Sequence, residues 1–330
     1  MDKTPRKLRA NKIARHTEEL TIPIVDIDSL IKIAQQSTPI KNINHKLLKA
    51  ILPQLLELQK IIGMKELKNS IFYQIIYYLQ NLHQKSDDYL HTVILGSPGC
   101  GKTTVAKIIG ELYSNLGILK NHTFTIAKRS DLIGEYLGQT TIKTSKLLKS
   151  CIGGVLFIDE IYSLGPGSKD RKDSYSKEAI DALNLFLSEH KKDFCCIIAG
   201  YEKEVKECFF SVNQGLERRF QWVHKIQTYT PEELSDICFK KIKDIEWQTC
   251  VTSNEMINLI KSHDLIFKNA GGDIENLITK AKMVHARRVF SLDSYHKFIL
   301  TIEDFKNAVD FIDQTNSIEK SSPIPLSMYS

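Results

Sequence analysis

The sequence predicts an α/β protein: a parallel sheet of five strands with helices between them, followed by a small all-helical domain. Three observations carry that prediction. Short apolar runs at 93–95, 123–127, 155–158, 195–200 and 222–227 alternate with helical stretches, and such alternation belongs to parallel sheets with right-handed crossovers. The run at 155–158 is continuously apolar, as a strand buried on both faces must be. From Thr230 onward helical periodicity takes over.

At 330 residues the chain is long enough for two domains. Its 42% hydrophobic and 25% charged residues are ordinary for a soluble globular protein. No apolar run approaches the roughly 20 residues of a membrane span, and the N-terminus lacks the apolar core of a secretory signal. Seven cysteines (Cys100, Cys151, Cys195, Cys196, Cys208, Cys238, Cys250) show neither metal-ligand spacing nor a disulfide framework. Several lie in apolar runs, where cysteine acts as a small hydrophobe. That usage predicts a reducing, cytoplasmic setting. Of the net charge of +6, much sits in Lys3, Arg6, Lys7, Arg9, Lys12 and Arg15. This basic arm reads as a solvated terminus, or as a nucleic-acid contact or nuclear signal.

In chain order, helical periodicity starts within 25–60, at Leu30, Ile31, Ile33 and Ala34 and again at Leu47, Leu48, Ile51, Leu52, Leu55 and Leu56, with Pro39 and Pro53 interrupting it. A strong amphipathic helix follows Gly63 and ends near His83. Next comes LHTVILGSPGCGKTT, residues 90–104. An apolar strand stops at Gly96; Ser97, Pro98, Gly99, Cys100 and Gly101 form a loop; Lys102, Thr103 and Thr104 open a helix. In that context the pattern GxxxxGK[ST] is a phosphate-binding loop. Glycines let backbone N–H groups surround an anion, and the helix N-terminus adds unpaired donors and a positive dipole end. Lys102 is suited to lie between β- and γ-phosphates, and the Thr103 hydroxyl to ligate Mg²⁺.

A helix over 103–116 leads to the strand at 123–127, then to a glycine-punctuated stretch containing Tyr136 and a helix through 143–149. The strand at 155–158 ends in Asp159 and Glu160. Both therefore emerge at the C-terminal edge of the sheet, where ligands bind in open α/β folds. The aspartate suits a Mg²⁺ held through its waters, and the glutamate suits polarisation of the water that attacks phosphorus. A polar loop (165–176), a helix (177–190), the strand at 195–200, a helix from about Lys203 and the strand at 222–227 complete the sheet. Thr230-Pro231-Glu232-Glu233 is a capping box with proline at the first helical position. Thr252 with Glu255 marks a second helix, Gly272 a third, residues 301–312 a fourth, and 316–330 a flexible tail.

GSPGCGKT (96–103) with VLFIDE (155–160) resembles an AAA+ ATPase. IIGMKELKNSI (61–71), LIGEYLGQT (132–140), DEIYSL (159–164), KEAIDALNLFL (177–187), IIAGYEKEV (197–205) and NQGLERRF (213–220) resemble one subgroup. That subgroup holds the red-type Rubisco activases and the stage V sporulation protein K relatives, and the likeness covers about residues 55–315. It implies a nucleotide-binding αβα domain over 56–229 and a helical lid over 230–315, and leaves unexplained the basic arm and small helical element that charge and periodicity mark over 1–55. It further implies ATP and Mg²⁺ as ligands, a hexameric ring of like subunits and a protein substrate that is remodelled or threaded. Arg219, or Arg218 beside it, falls at the arginine finger that reaches a neighbour's γ-phosphate. Tyr201 falls at sensor 1, Ile62 and Gly63 at the adenine contact, and Tyr136, Leu137 and Gly138 at the aromatic pore loop. Read on residues alone, Arg218 and Arg219 are also a surface basic pair, and Tyr136 also a core tyrosine anchoring a turn. The subgroup's lid arginine, sensor 2, has no counterpart: the stretch reads NAGGDIENLI (269–278), with Glu275 in its place, so either a neighbour such as Lys280 or Lys282 substitutes or the lid senses nucleotide differently. Two further readings stand beside the protein remodeller. One is a motor or loader stimulated by nucleic acid through the basic arm, and the other an ATP-gated scaffold with little turnover.

Overall fold

A computed structural model of the chain describes residues 23–36, 43–136, 138–165, 174–267 and 271–321. The basic arm, Leu137, most of the polar loop after Gly165 and residues 322–330 lie outside them; residues 316–321 of the expected flexible tail instead continue the last helix.

Three helices open the described chain: α1 (Ile27–Gln35), α2 (His45–Ala50) and α3 (Leu52–Lys60). Asp26 caps α1 by accepting the Ser29 N–H at 2.8 Å, and the Ser29 hydroxyl returns to the Asp26 N–H. Pro53 lies in the first turn of α3, where its missing N–H costs nothing, so it starts a helix rather than interrupting one. Next come α4 (Lys65–Leu79), β1 (Thr92–Leu95) and α5 (Lys102–Asn115). Leu30, Ile33, Leu48, Leu55 and Leu58 join Ile71 and Ile75 of α4 and Val105 and Ile109 of α5 in one buried cluster. The expected boundary between residues 55 and 56 falls inside α3, and the helices on both sides of it share this cluster.

The chain continues through β2 (Phe124–Ala127), α6 (Arg129–Leu132), α7 (Gln139–Ser150), β3 (Val155–Ile158), α8 (Ser174–Glu189), β4 (Cys195–Gly200), α9 (Glu202–Glu204), α10 (Gln214–Glu217) and β5 (Trp222–Lys225). The five strands form one parallel sheet in the order β2-β3-β4-β1-β5. Alternate side chains of each strand face opposite ways, so Ile94, Phe157 and Ile197 pack under α4 and α5. Leu95, Leu156 and Ile198 pack against the α8 side. Register then fixes the site. Leu95 pairs with Gly200, and Ile158 with Ile198. Strand β4 therefore carries Tyr201 out between the phosphate loop on one side and Asp159 and Glu160 on the other.

The C-terminal part comprises α11 (Pro231–Asp244), β6 (Gln248–Thr249), α12 (Ser253–Ser262), α13 (Gly271–Arg288), β7 (Ile299–Leu300) and α14 (Ile302–Ser321). It is helical, with capping boxes at Thr230/Glu233 and Thr252/Glu255 and its own core, including Leu234, Ile242, Met256, Leu277 and Phe305. One addition corrects the helices-only expectation: β6 and β7 form a two-residue parallel ladder, too short to leave a period-2 trace in the sequence. Asp304, fully buried at the start of α14, ties this ladder to the helices. It accepts from Arg288 Nε at 2.9 Å and from the Thr301 N–H at 2.9 Å, and it faces His285 Nδ1 at 3.2 Å. Burial alone would raise the Asp304 carboxyl, yet the Arg288 fork and the Thr301 donors hold it below the usual carboxylate range.

Candidate nucleotide site

The phosphate loop turns where its glycines permit. Gly99 and Gly101 sit at φ +65° and +95°, conformations open to glycine at no steric cost. Gly96 is needed for space: a Cβ there would lie 2.6 Å from the Cys100 sulfur. Ser97 is half-buried, Pro98 and Gly99 are exposed, and Cys100 is buried. Burial pushes the Cys100 thiol above its ordinary value, which keeps it protonated and unreactive. Lys102 opens α5, and its ammonium donates to the carbonyls of Gly96 (3.2 Å) and Ser97 (2.9 Å), which holds it within the curve of the loop. Thr103 is half-buried and Thr104 exposed on the first turn.

On β3, Asp159 Oδ1 accepts the backbone N–H of Glu160 at 2.9 Å. Glu160 takes a left-handed backbone, φ +50°, and presents its side chain to solvent. One turn of 3₁₀ helix, Ile161–Leu164, follows. It is pinned from outside by Arg129, whose guanidinium donates to the Ser163 carbonyl and, at 2.8 Å, to the Ser176 hydroxyl. Tyr201 emerges between the two motifs. Its ring centroid lies 5.5 Å from Lys102 Nζ, and the ring stacks on Tyr162 at 5.4 Å and 19°.

A cavity of about 250 Å³ opens beside the loop. Ile61, Ile62 and Met64 line one wall, Gly99, Cys100, Gly101 and Thr104 the floor, and Ile237, Lys241 and Gly271 the lid side. Ile62 is thus an apolar residue of the cavity wall. Gly63 does not line the cavity; at φ +67° it packs on Glu233, and a Cβ there would meet that carboxylate at 2.7 Å. Tyr229, just ahead of the lid's capping box, donates its hydroxyl to the Cys100 carbonyl at 3.2 Å and is pushed up to about 12 by burial. Gly271, first residue of α13, approaches the Gly99 carbonyl so closely that a Cβ would lie 2.8 Å from it. Glu275 turns to a salt bridge with Lys241. Lys280 and Lys282 instead lie over the rings of Phe311 (4.8 Å) and Trp247 (5.9 Å), and neither lines the cavity.

The remaining predicted residues stand elsewhere. Arg218 is exposed. Arg219 is half-buried, its guanidinium donating to Ser188 Oγ at 2.8 Å and to the Gly215 carbonyl. Tyr136 is 68% exposed. Gly134 is pressed against Gln139 and Thr140, and Gly138, at φ +82°, starts α7, so the loop is tight and its tyrosine points outward. Leu137 lies outside the described residues. Arg129, Tyr162, Tyr229, Lys241 and Gly271 were not singled out from sequence. Of these, Tyr229 had a readable signal, an aromatic beside a capping box at the end of the last sheet strand.

A phosphate loop on β1, an acidic pair on β3 and a polar side chain on the strand between them define a P-loop nucleotide hydrolase with a helical lid. The family model for the ATPase family associated with various cellular activities matches residues 92–223. A cfxQ-like protein of Acanthamoeba polyphaga mimivirus is 38% identical over 279 residues, covering 82% of this chain and 68% of that one. Stage V sporulation protein K of Bacillus subtilis is 34% identical over 252 residues, covering 73% and 77%. In fold, the FIGL-1 AAA domain in complex with ADP superposes with a TM-score of 0.57 at 18% identity, over 79% of this chain and 88% of that one. The chain belongs to the AAA family of ATPases, in the group of stage V sporulation protein K and CfxQ-like proteins. It is an ATPase. Among the described residues no helix is long and apolar enough to cross a membrane.

Proposed function

We propose that this ATPase assembles as a ring, with six subunits as its family resemblance implies, and uses ATP hydrolysis to pull on or remodel a protein. The observation that carries the reading is Tyr136. It is 68% exposed on a tight, glycine-flanked loop, which removes the alternative of a core tyrosine anchoring a turn. An aromatic held this way grips varied side chains without a fixed hydrogen-bond pattern. One relative, from Cyanidioschyzon merolae, is named a ribulose bisphosphate carboxylase/oxygenase activase, a protein acting on a protein; it is 35% identical over 204 residues.

Within the site, Lys102 is held where a β- or γ-phosphate oxygen can take over from the Gly96 and Ser97 carbonyls. Thr103 and Asp159 offer a hydroxyl and one carboxylate, hard oxygen donors that fit Mg²⁺, an ion that keeps several of its waters. Mg²⁺ bound there would neutralise charge on the phosphates. Glu160, exposed at the strand end, takes the proton of the attacking water. Arg219 serves a neighbour's site: Ser188 and Gly215 engage its Nε and one terminal nitrogen, and its remaining N–H donors are the ones offered to a γ-phosphate in trans.

ATP turnover measured with and without a permanently unfolded polypeptide, reduced carboxymethylated lactalbumin, tests this. The parent is expected to be stimulated, Tyr136→Ala to keep its basal rate and lose the stimulation, and Arg219→Ala to lose on the order of 10³-fold in turnover while still assembling. Stimulation by DNA instead, falling steeply with salt, would replace the protein substrate by nucleic acid. Nucleotide-dependent assembly without turnover would make the chain a scaffold.

A further inference from the structure

We infer that Tyr229 is a positioning residue for ATP binding: by holding the Cys100 carbonyl, its hydroxyl couples the shape of the phosphate loop to the angle of the helical lid. The inference rests on residues 96–104 holding the phosphates of ATP.

The register of the sheet brings the two together. Strand β5 pairs with β1 in parallel, Lys225 opposite Leu95, and the Ile226 N–H donates to the Leu95 carbonyl at 2.8 Å. The chain leaving β5 therefore runs beside the chain that enters the loop. Ile226 lies against the loop's first residue, where a Cβ on Gly96 would stand 3.1 Å from the Ile226 Cβ. Tyr229 then reaches the far end of the loop and donates to the Cys100 carbonyl at 3.2 Å. The next residue, Thr230, is the N-cap of α11, so the phenol stands directly ahead of the first lid helix. Its ring packs both on the core shared by the sheet, α4 and α5 and on the core of the lid.

A peptide group is planar and trans, so its C=O and the following N–H point opposite ways. Turning the Cys100 carbonyl to Tyr229 thereby turns the Gly101 N–H away from it. Gly101 precedes α5 at φ +95° with no side-chain cap, so its N–H is among the donors that a helix start presents to an anion. The lid's other touch falls one residue earlier, where Gly271 approaches the Gly99 carbonyl. Two successive carbonyls of the loop are thus met from the lid side.

Charged lid groups do not make this link. Glu275 turns to Lys241, and Lys240, the other lysine lining the cavity, donates to the Lys60 carbonyl at 3.0 Å. Burial pushes the Tyr229 phenol up to about 12, so it remains an O–H donor at any working pH. A loop that reshapes around phosphate moves the Cys100 carbonyl and takes the lid with it. By linkage, a lid that loses this hold lowers the affinity for ATP.

The test compares the parent with Tyr229→Phe, which keeps the ring packed on both cores and removes only the hydroxyl. Three quantities are measured: equilibrium binding of ATP, hydrogen exchange with and without saturating ATPγS, and the thermal midpoint of the nucleotide-free protein. ATP affinity is expected to fall about 5-fold, the net worth of one neutral hydrogen bond. ATPγS is expected to slow exchange in the phosphate loop of both proteins, but in α11 of the parent only. Parent affinity in Tyr229→Phe, or equal protection of α11 in both proteins, would overturn the inference. A lowered midpoint with affinity unchanged marks a purely structural tyrosine and overturns it as well. Failure of the loop reading shows separately, as parent affinity for ATP in Lys102→Ala.

Discussion

On the sheet side, Lys102 opens the helix after β1, and Asp159, Glu160 and Tyr201 stand at the ends of β3 and β4, strands whose residues, such as Phe157 and Ile198, are 0–1% exposed. On the lid side, Lys241 and Glu275 meet at the surface, and Gly271 reaches Gly99 with no side chain between them. The first arrangement fixes atoms by packing on two faces of a sheet, where a shift of any group is resisted by close-packed neighbours. The second is a short contact between two bodies with separate cores. Chemistry needs the first kind of construction, and opening and closing around nucleotide needs the second.

Five outcomes would break or sharpen that contrast, taken from the largest effect downward. Glu160→Gln is expected to lower kcat by about 10²–10⁴-fold while ATP affinity by equilibrium binding stays at the parent value. Phe157→Ala, at the centre of β3 and stacked on Phe124, should cost about 3–5 kcal/mol in denaturant unfolding. A smaller loss would mean the sheet edge is less rigidly based than its burial says.

The third outcome is set by pH. His91 and His224 are both brought down to about 4 by burial. His91 Nδ1 accepts the Cys196 N–H while Nε2 donates to the Leu187 carbonyl, a pattern that a second ring proton destroys. With a folded value below the ordinary 6.5, the unfolded chain binds the proton first. Stability is therefore whole above pH 6.5 and falls as pH drops toward 4, by about 3 kcal/mol for each histidine. Urea unfolding at pH 7 and pH 5 checks this, and His91→Gln should flatten the difference.

On the lid side the expected effects are smaller. Gly271→Val forces a side chain onto the Gly99 carbonyl and should weaken ATP binding about 10-fold, with the midpoint of thermal unfolding held within a few degrees. Glu275→Ala removes an ion pair that is two-thirds exposed at the glutamate. It should change stability by less than about 1 kcal/mol and nucleotide affinity less than Gly271→Val does. If Glu275→Ala proves the more damaging of the two, the lid is held by charge rather than by its main-chain contact at Gly271.

What could be read from residues follows the same division. The phosphate loop and the acidic pair were legible because each is a contiguous word whose chemistry is local: a glycine turn before Lys102, carboxylates after an apolar strand. The runs at 155–158 and 195–200 were legible because burial on both faces removes polar residues from four or more consecutive positions. Tyr162 and Tyr201 lie 39 positions apart in the chain and meet through strand order, which no local pattern encodes. Gly271 reads as an ordinary helix start until the backbone it faces is seen. The β6–β7 ladder spans two residues a side, below the length at which alternation means anything. The helices α1 to α3 show their apolar faces in sequence, but not that those faces enter the same cluster as α4 and α5.

The touch between Gly271 and Gly99 has a consequence for inheritance. Because Gly271 and Gly99 meet through main chain, a single-base change at an exposed position nearby alters a side chain outside this touch. The surrounding lid surface, Glu275 included, is free to drift, while position 271 itself has one residue that fits.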